Sequence, residues 1–257
     1  MFIGEDSTRW VLKGAGALLA RLENARHSKD IDLFYADESA AVDEAVTALR
    51  LALGRDIGDF FASEILKIVA LQEDAKGSRV HVQARLGPKA YAGFHIDVVV
   101  GTVMSGQPEV VAPLTPLHID GLTRPGYWVF PLADHLADKF CAVITRHSQA
   151  GAINSSSRVK DLVDIALIAG TQSVSARALR AAVVAGAAHR GLNMPKSFAV
   201  PDETSWRRGY PRSAADAPAS VPSYDEACEL AKALLDPILG GLDSGDWDPA
   251  TARWKAT

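Results

Sequence analysis

Two aspartates spaced one residue apart, Asp30 and Asp32 in Ser28-Lys29-Asp30-Ile31-Asp32-Leu33, are the first side chains whose types and spacing promise chemistry. The run reads as a strand over residues 30 to 36. Alternate strand residues face one side, so the two carboxylates share a face while Ile31 and Leu33 turn toward a core. Adjacent carboxylates repel, which raises a pKa or costs stability. Mg²⁺ resolves the repulsion and holds phosphate oxygens at the same time. An exposed strand end with two solvated charges would present the same pair, so the motif needs support from its surroundings.

One support lies just upstream, in Trp10-Val11-Leu12-Lys13-Gly14-Ala15-Gly16-Ala17-Leu18. An extended run at 10 to 13 passes through small residues into a helix at 15 to 23, so backbone can approach a phosphate and the first helical N–H groups point at the anion. An ordinary tight connection uses glycine equally well. The order of turn, helix and acidic strand nevertheless matches the way nucleotidyltransferases of the DNA polymerase beta type present a glycine turn and metal carboxylates. A third acid, Asp97, stands in the otherwise apolar Phe94-His95-Ile96-Asp97-Val98-Val99-Val100. Buried there without compensation it would be expensive, so it needs a partner or an ion. As a third metal ligand it could also accept the proton of an attacking hydroxyl; the alternative is a strand-end Asp capped by backbone N–H groups.

The elements that must position these acids follow from periodicity. Strands are expected at 10 to 13, 30 to 36, 65 to 72, 78 to 86 and 93 to 101, with a helix marked by Val42, Val46, Leu49 and Leu53 between the second and third. In 78 to 86, Val80, Val82, Ala84 and Leu86 alternate with Arg79, His81, Gln83 and Arg85. From Leu132 the pattern turns helical, at 132 to 147, 158 to 170, 174 to 188 and 224 to 239. Strands first and helices afterwards imply an α+β fold, with one domain at 1–130 and a mainly helical domain at 131–257; the likeness to the DNA polymerase beta type implies a mixed sheet flanked by helices in the first. Residues 201 to 223, with Pro201, Pro211, Pro218 and Pro222, read as a long proline-rich loop.

Composition excludes several classes. The chain has 257 residues, 48% hydrophobic and 23% charged, enough to bury a core without disulfides or a structural metal. No apolar run approaches a bilayer span and the N-terminus lacks a signal-peptide pattern, so a cytoplasmic protein is expected. Cys141 and Cys228 are too few for a zinc framework. The net charge of -4 hides an asymmetry. From Lys139 to Arg212 there are eleven Lys and Arg against four Asp and Glu, leaving sixteen against twenty-seven elsewhere. Such a basic stretch suits phosphate binding, or is a solvated helical surface.

Lys13-Gly14-Ala15-Gly16-Ala17-Leu18, followed by Arg26-x-Ser28-x-Asp30-x-Asp32-Leu33, resembles the K-G-G-x-x-L and R-x-[ST]-x-D-x-D-L run of the AbiEii-type nucleotidyltransferase toxins, which include the MenT toxins of type IV toxin-antitoxin pairs. Asp138-Lys139-Phe140-Cys141-Ala142 with Arg146, and Arg158-Val159-Lys160-Asp161-Leu162-Val163-Asp164, are similar to the family's K-x-x-A…R and R-x-x-D-L-x-D motifs. The likeness runs in motif order from residue 10 to about 170. Ala15 stands where the family usually has its second glycine.

The resemblance implies a Mg²⁺-dependent enzyme, with a two-metal site, that moves a nucleoside monophosphate from an NTP to an acceptor hydroxyl and releases pyrophosphate. Asp30, Asp32 and Asp97 would hold metal; Lys13, Gly14, Arg26 and Ser28 would meet the triphosphate. Lys139, which alone would read as a solvated helical lysine, would contact the nucleotide phosphates or the leaving group. Asp161, which alone would complement a helix dipole, would hold Lys139 or a nucleotide group in place. Asp164 would be structural, paired with Arg158 or Lys160. His27, His95 and His147 are conceivable bases that two-metal chemistry does not require. Within the family, the MenT branch implies the 3′ end of tRNA as acceptor, CTP or UTP as donor, a cognate antitoxin and arrest of translation. A monomer is expected, with Arg207, Arg208 and Arg212 reaching the acceptor stem. The alternatives are transfer to a small molecule such as an aminoglycoside, transfer to a protein hydroxyl, or a catalytically silent binding module.

Overall fold

The computed structural model describes residues 8–23, 25, 28, 30–37, 39–71, 76–114, 126–149, 152–215, 217 and 221–256. The chain divides into two units, one of residues 1–23, 27–102 and 108–130, the other of residues 24–26, 103–107 and 131–257.

Among its described residues the first unit contains a mixed seven-stranded sheet and two helices. Its strands are β1 (Trp10–Lys13), β2 (Asp30–Tyr35), β3 (Phe61–Ala70), β4 (Gly77–Leu86), β5 (Lys89–Val99), β6 (Glu109–Val111) and β7 (Tyr127–Val129); its helices are α1 (Gly14–Arg21) and α2 (Val42–Leu53). The strand order is β3-β4-β5-β2-β1-β7-β6. β2 runs parallel to β5 and β1 parallel to β7, the other pairs being antiparallel. Alternation determines the faces. Trp10, Leu12, Leu33, Tyr35, Val80, Val82, Ile96 and Val98 join Ala17 and Ala20 of α1 and Ala45 and Leu49 of α2 in one core, leaving the intervening residues on the other face. In α2 the Glu44 carboxylate accepts the Ala41 N–H (3.0 Å), and Asp43 and Glu44 complement the helix dipole. The expected strand at 65 to 72 is longer and earlier than periodicity showed, because its first residues are exposed on an edge strand and carry little apolar signal.

Among its described residues the second unit contains five helices, α3 (Leu132–Ile144), α4 (Val159–Thr171), α5 (Ala176–His189), α6 (Glu203–Ala214) and α7 (Tyr224–Leu239). Two small hairpins join them: β8 (Arg146–Gln149) with β9 (Ala152–Ser155), and β10 (Asp246–Asp248) with β11 (Arg253–Lys255). α3 and α4 are buried almost all round, which is why their sequences are apolar on more than one stripe. α7 begins with a capping box in which Ser223 Oγ accepts the Glu226 N–H and Glu226 accepts the Ser223 N–H.

The expected loop at 201 to 223 is instead helical over most of its described length. Asp202 caps α6 by accepting the Ser205 N–H (3.1 Å). Trp206 and Tyr210, one turn apart, are buried at 1% and 3% exposure. The Trp206 indole donates to the Ser156 carbonyl (2.9 Å) and the Tyr210 hydroxyl to the Pro222 carbonyl (3.0 Å). An interior proline costs about 3 kcal/mol in a helix, and burying two large aromatics offsets it at Pro211. Residues 216 and 218–220 of the expected loop lie outside the described residues.

Candidate active site

The polar face of the first unit's sheet is built from two rungs that cross four strands each. Register places Lys13 of β1, Asp32 of β2, Asp97 of β5 and Arg79 of β4 side by side. The next rung holds Asp30 of β2, His95 of β5, His81 of β4 and Lys67 of β3. Neighbouring strands lie about 4.8 Å apart and successive same-face residues about 6.6 Å apart, so Asp30, Asp32 and Asp97 form a triangle of carboxylates flanked by cations and imidazoles.

β1 passes into α1 with no intervening loop, and Gly14 makes the change of direction at φ +55, where an L side chain is strained. A Cβ on Gly14 would fall on the Asp32 carboxylate, on Oδ2. Turn and acid therefore occupy one small volume. α1 begins without a side-chain cap and without an acidic residue in its first turn, which leaves its N-terminal donors suited to an anion. Lys13 is buried at 9% exposure with its ammonium 4.3 Å above the centre of the Phe130 ring. Ser28 Oγ accepts the Asp30 N–H (3.3 Å) and lies 3.2 Å from the Asp30 carbonyl, bracing the entry to β2. Arg26 lies outside the described residues, as does His27, and of the His147 side chain nothing is described.

Asp97 has a protein partner. Arg79 donates through Nε to Oδ1 and through one terminal nitrogen to Oδ2, both at 2.7 Å. Their side chains are 41% and 13% exposed. The bond to Asp97 chiefly, opposed by burial and aided by the charges of Asp97, Asp30 and Asp32, holds the guanidinium protonated more firmly than a free one. His95 Nδ1 lies 3.3 Å from Asp30 Oδ1, and its ring meets that of His81 edge-on, centres 4.4 Å apart. Partial burial first, then the charges of His95, Lys67 and Arg79, push the His81 imidazole below its ordinary 6.5. Arg79 was visible in the sequence only as one polar residue of an alternating strand; nothing there signalled that antiparallel register would set it against Asp97.

The three carboxylates fit a hard divalent cation in donor type, being all oxygen and on one face beside a turn that only glycine allows. In the arrangement described, Asp97 is engaged by Arg79 and Asp30 by His95, and among the described residues no three His, Cys, Asp or Glu close into a metal-binding cluster.

Lys139 and Asp161 come together in the second unit. The Lys139 ammonium donates to Asp161 Oδ1 (2.8 Å) and Asp164 Oδ2 (2.6 Å), and Arg158 Nε donates to Asp161 Oδ2 (2.9 Å). The Lys139, Asp161 and Asp164 side chains are 7%, 2% and 0% exposed. Burial alone would depress the Lys139 pKa, but the two carboxylates more than reverse it, so the ammonium is raised well above its ordinary value. Two of its three N–H donors are thus spent inside the protein. Asp164 takes a partner, Lys139, that its position on the helix did not suggest. Arg207 is likewise committed: it bonds Asp225 (2.7 and 2.8 Å) and Glu203 (3.1 Å) and stacks 4.6 Å from the centre of the Tyr224 ring. Arg208 and Arg212 are exposed.

Comparison with known proteins identifies the family. The family model described as nucleotidyl transferase AbiEii toxin, type IV toxin-antitoxin system, matches residues 2–250. Among solved structures, the chain is similar to MenT4, a nucleotidyltransferase toxin from Mycobacterium tuberculosis H37Rv, with TM-score 0.58 and 15% identity over 94% of this chain and 78% of that one. A crystal structure from H. pylori described as a nucleotidyltransferase aligns with TM-score 0.39 and 14% identity over 96% of this chain and 82% of that one. No curated protein matches. No described helix is long and apolar enough to cross a membrane. With the family's model spanning nearly every residue and a mixed sheet presenting a glycine turn against Asp32, the chain belongs to the AbiEii nucleotidyltransferase toxins of type IV toxin-antitoxin systems and is a nucleotidyltransferase.

Proposed function

We propose that the polar face of the first unit transfers a nucleoside monophosphate from CTP or UTP to the 3′ end of tRNA, using Asp30, Asp32 and Asp97 to hold Mg²⁺. The observation that carries the reading is the joint placement of the three carboxylates in register beside the Gly14 turn. The acceptor and the pyrimidine preference rest on the likeness to the MenT branch noted in the motifs.

In this reading the Gly14 turn and the uncapped N-terminus of α1 receive the triphosphate, with Lys13 adding positive charge at the end of β1 and Arg26 and Ser28 completing the contacts. The acceptor hydroxyl oxygen forms a bond to the α-phosphorus as the α–β phosphoanhydride breaks, and pyrophosphate leaves with the electron pair. Bound Mg²⁺ supplies charge neutralisation and a more acidic acceptor hydroxyl. Asp97 serves as a ligand, and since both of its oxygens already accept hydrogen bonds from Arg79, the acceptor proton passes to solvent. Arg208 and Arg212, not Arg207, are the arginines of α6 open to RNA phosphates.

The test is incubation of the purified protein with Mg²⁺, total tRNA and each α-labelled NTP in turn, beside Asp32→Ala. Label in tRNA from CTP or UTP, absent in the variant, is expected. Label in the protein or in an added aminoglycoside would move the acceptor, and failure to bind any NTP would overturn the enzymatic reading.

A further inference from the structure

We propose that Arg79 is a positioning residue that competes with a divalent cation for Asp97 and thereby sets how readily the carboxylate face takes metal. The inference rests on the reading of that face as a metal site.

Arg79 and Asp97 are direct cross-strand partners, and the planar guanidinium meets both carboxylate oxygens at 2.7 Å. This fork geometry is the strongest pairing open to a carboxylate. It also places a unit positive charge where a dication bound to Asp97 would feel it. A hard cation requires carboxylate oxygen at close range, and although each oxygen has a second lone pair, guanidinium and dication repel across the shared carboxylate. The rung alternates so that Lys13 and Arg79 bracket Asp32 and Asp97. Its two acids are thereby matched by two bases, and the face is tolerated without metal. Asp97 is mostly covered while Arg79 is 41% exposed. The guanidinium can therefore yield an oxygen to the cation and turn toward solvent, the cation taking over compensation of the covered carboxylate.

The experiment titrates Mn²⁺ into the protein without nucleotide and reads the free-ion EPR signal, comparing wild type, Arg79→Gln, Arg79→Lys and Asp32→Ala, with a thermal melt of each. Arg79→Gln is expected to bind Mn²⁺ about tenfold more tightly or better, as removal of a unit charge a few ångströms away implies even with partial screening. Arg79→Lys, which keeps the charge but bonds only one oxygen, is expected to fall between wild type and Arg79→Gln. Binding by Arg79→Gln equal to or weaker than wild type would overturn the inference. If that variant gives no cooperative melt, Arg79→Lys decides, and affinity no greater than wild type overturns it. Wild-type binding that is lost in Asp32→Ala, together with unchanged affinity in both Arg79 variants, would retain the metal site and reject the role of Arg79. No Mn²⁺ uptake by any of the proteins would reject both.

Discussion

Replacing Lys139 by Met keeps most of the aliphatic stem and removes the ammonium from the Lys139–Asp161–Asp164 triad. At 2.8 and 2.6 Å and an effective dielectric near 20, each contact gives about 6 kcal/mol of gross attraction. Taking each ion out of water costs several kcal/mol, so the intact triad is roughly balanced and not a large net stabiliser. Removing one member is different, because two nearly inaccessible carboxylates then face each other. Loss of one partner of a buried pair costs about 3–5 kcal/mol, and the lower end applies here because Arg158 still bonds Asp161. The sign of the pH dependence follows. In the variant the folded state takes up a proton that the unfolded chain releases above the ordinary carboxylate range, so the deficit grows as pH rises and shrinks as it falls. Urea unfolding at about pH 7.5 and pH 5, with Asp161→Asn/Asp164→Asn added to Lys139→Met as a neutral triple variant, measures this. A loss below about 1 kcal/mol that does not change with pH would refute the reasoning and return Lys139 to a purely ligand-contacting role.

Gly14→Ala should cost roughly 1–2 kcal/mol for the left-handed backbone and displace Asp32, on which its Cβ would fall. Nucleotidyl transfer should drop at least about a hundredfold, and near-normal activity would contradict the placement of the turn. Cys141 is fully buried and its thiol is pushed up to about 11, chiefly by burial, so it should resist alkylation at pH 8 until the protein is unfolded; rapid native labelling at Cys141 would count against that. The His81 imidazole, lowered chiefly by partial burial, should titrate below 6.5 by NMR. It binds fewer protons folded than unfolded, so its contribution to stability is present above pH 6.5 and is lost as pH falls through the lowered value; a midpoint at or above 6.5 would disagree. Arg207→Ala should loosen α6 from Tyr224 and Asp225 without reducing RNA affinity, whereas Arg208→Ala/Arg212→Ala should weaken it and flatten its salt dependence; the reverse pattern would restore Arg207 as an RNA contact.

The succession of β1, α1 and β2, and helices such as α7, follow directly from apolar spacing and turn residues. Asp30 and Asp32 were legible because a strand's period of two is local. Helix α6 was not, since its stability comes from Trp206 and Tyr210 docking on distant backbone, and a proline-rich composition speaks only of local preference. The expected helix at 132 to 147 ends at Ile144, its last two residues belonging to β8, and β9 has no counterpart in the periodicity because four-residue strands carry little signal. The sequence called for Asp97 to have a partner or an ion. That Arg79 is a partner depends on the register of β4 against β5, a tertiary choice that no local spacing encodes. Lys139, Asp161 and Asp164 each stand in a local motif, but their meeting in one buried triad depends on how α3 and α4 pack.

The most direct test of the carboxylate face as the site of nucleotidyl transfer is to follow α- and γ-labelled CTP and UTP in parallel with tRNA and Mg²⁺, comparing wild type with Asp32→Asn. The account predicts that the α label enters RNA while the γ label leaves as pyrophosphate, both at least about a thousandfold slower in the variant. Transfer of the γ label to the acceptor, or equal rates in the two proteins, would contradict it.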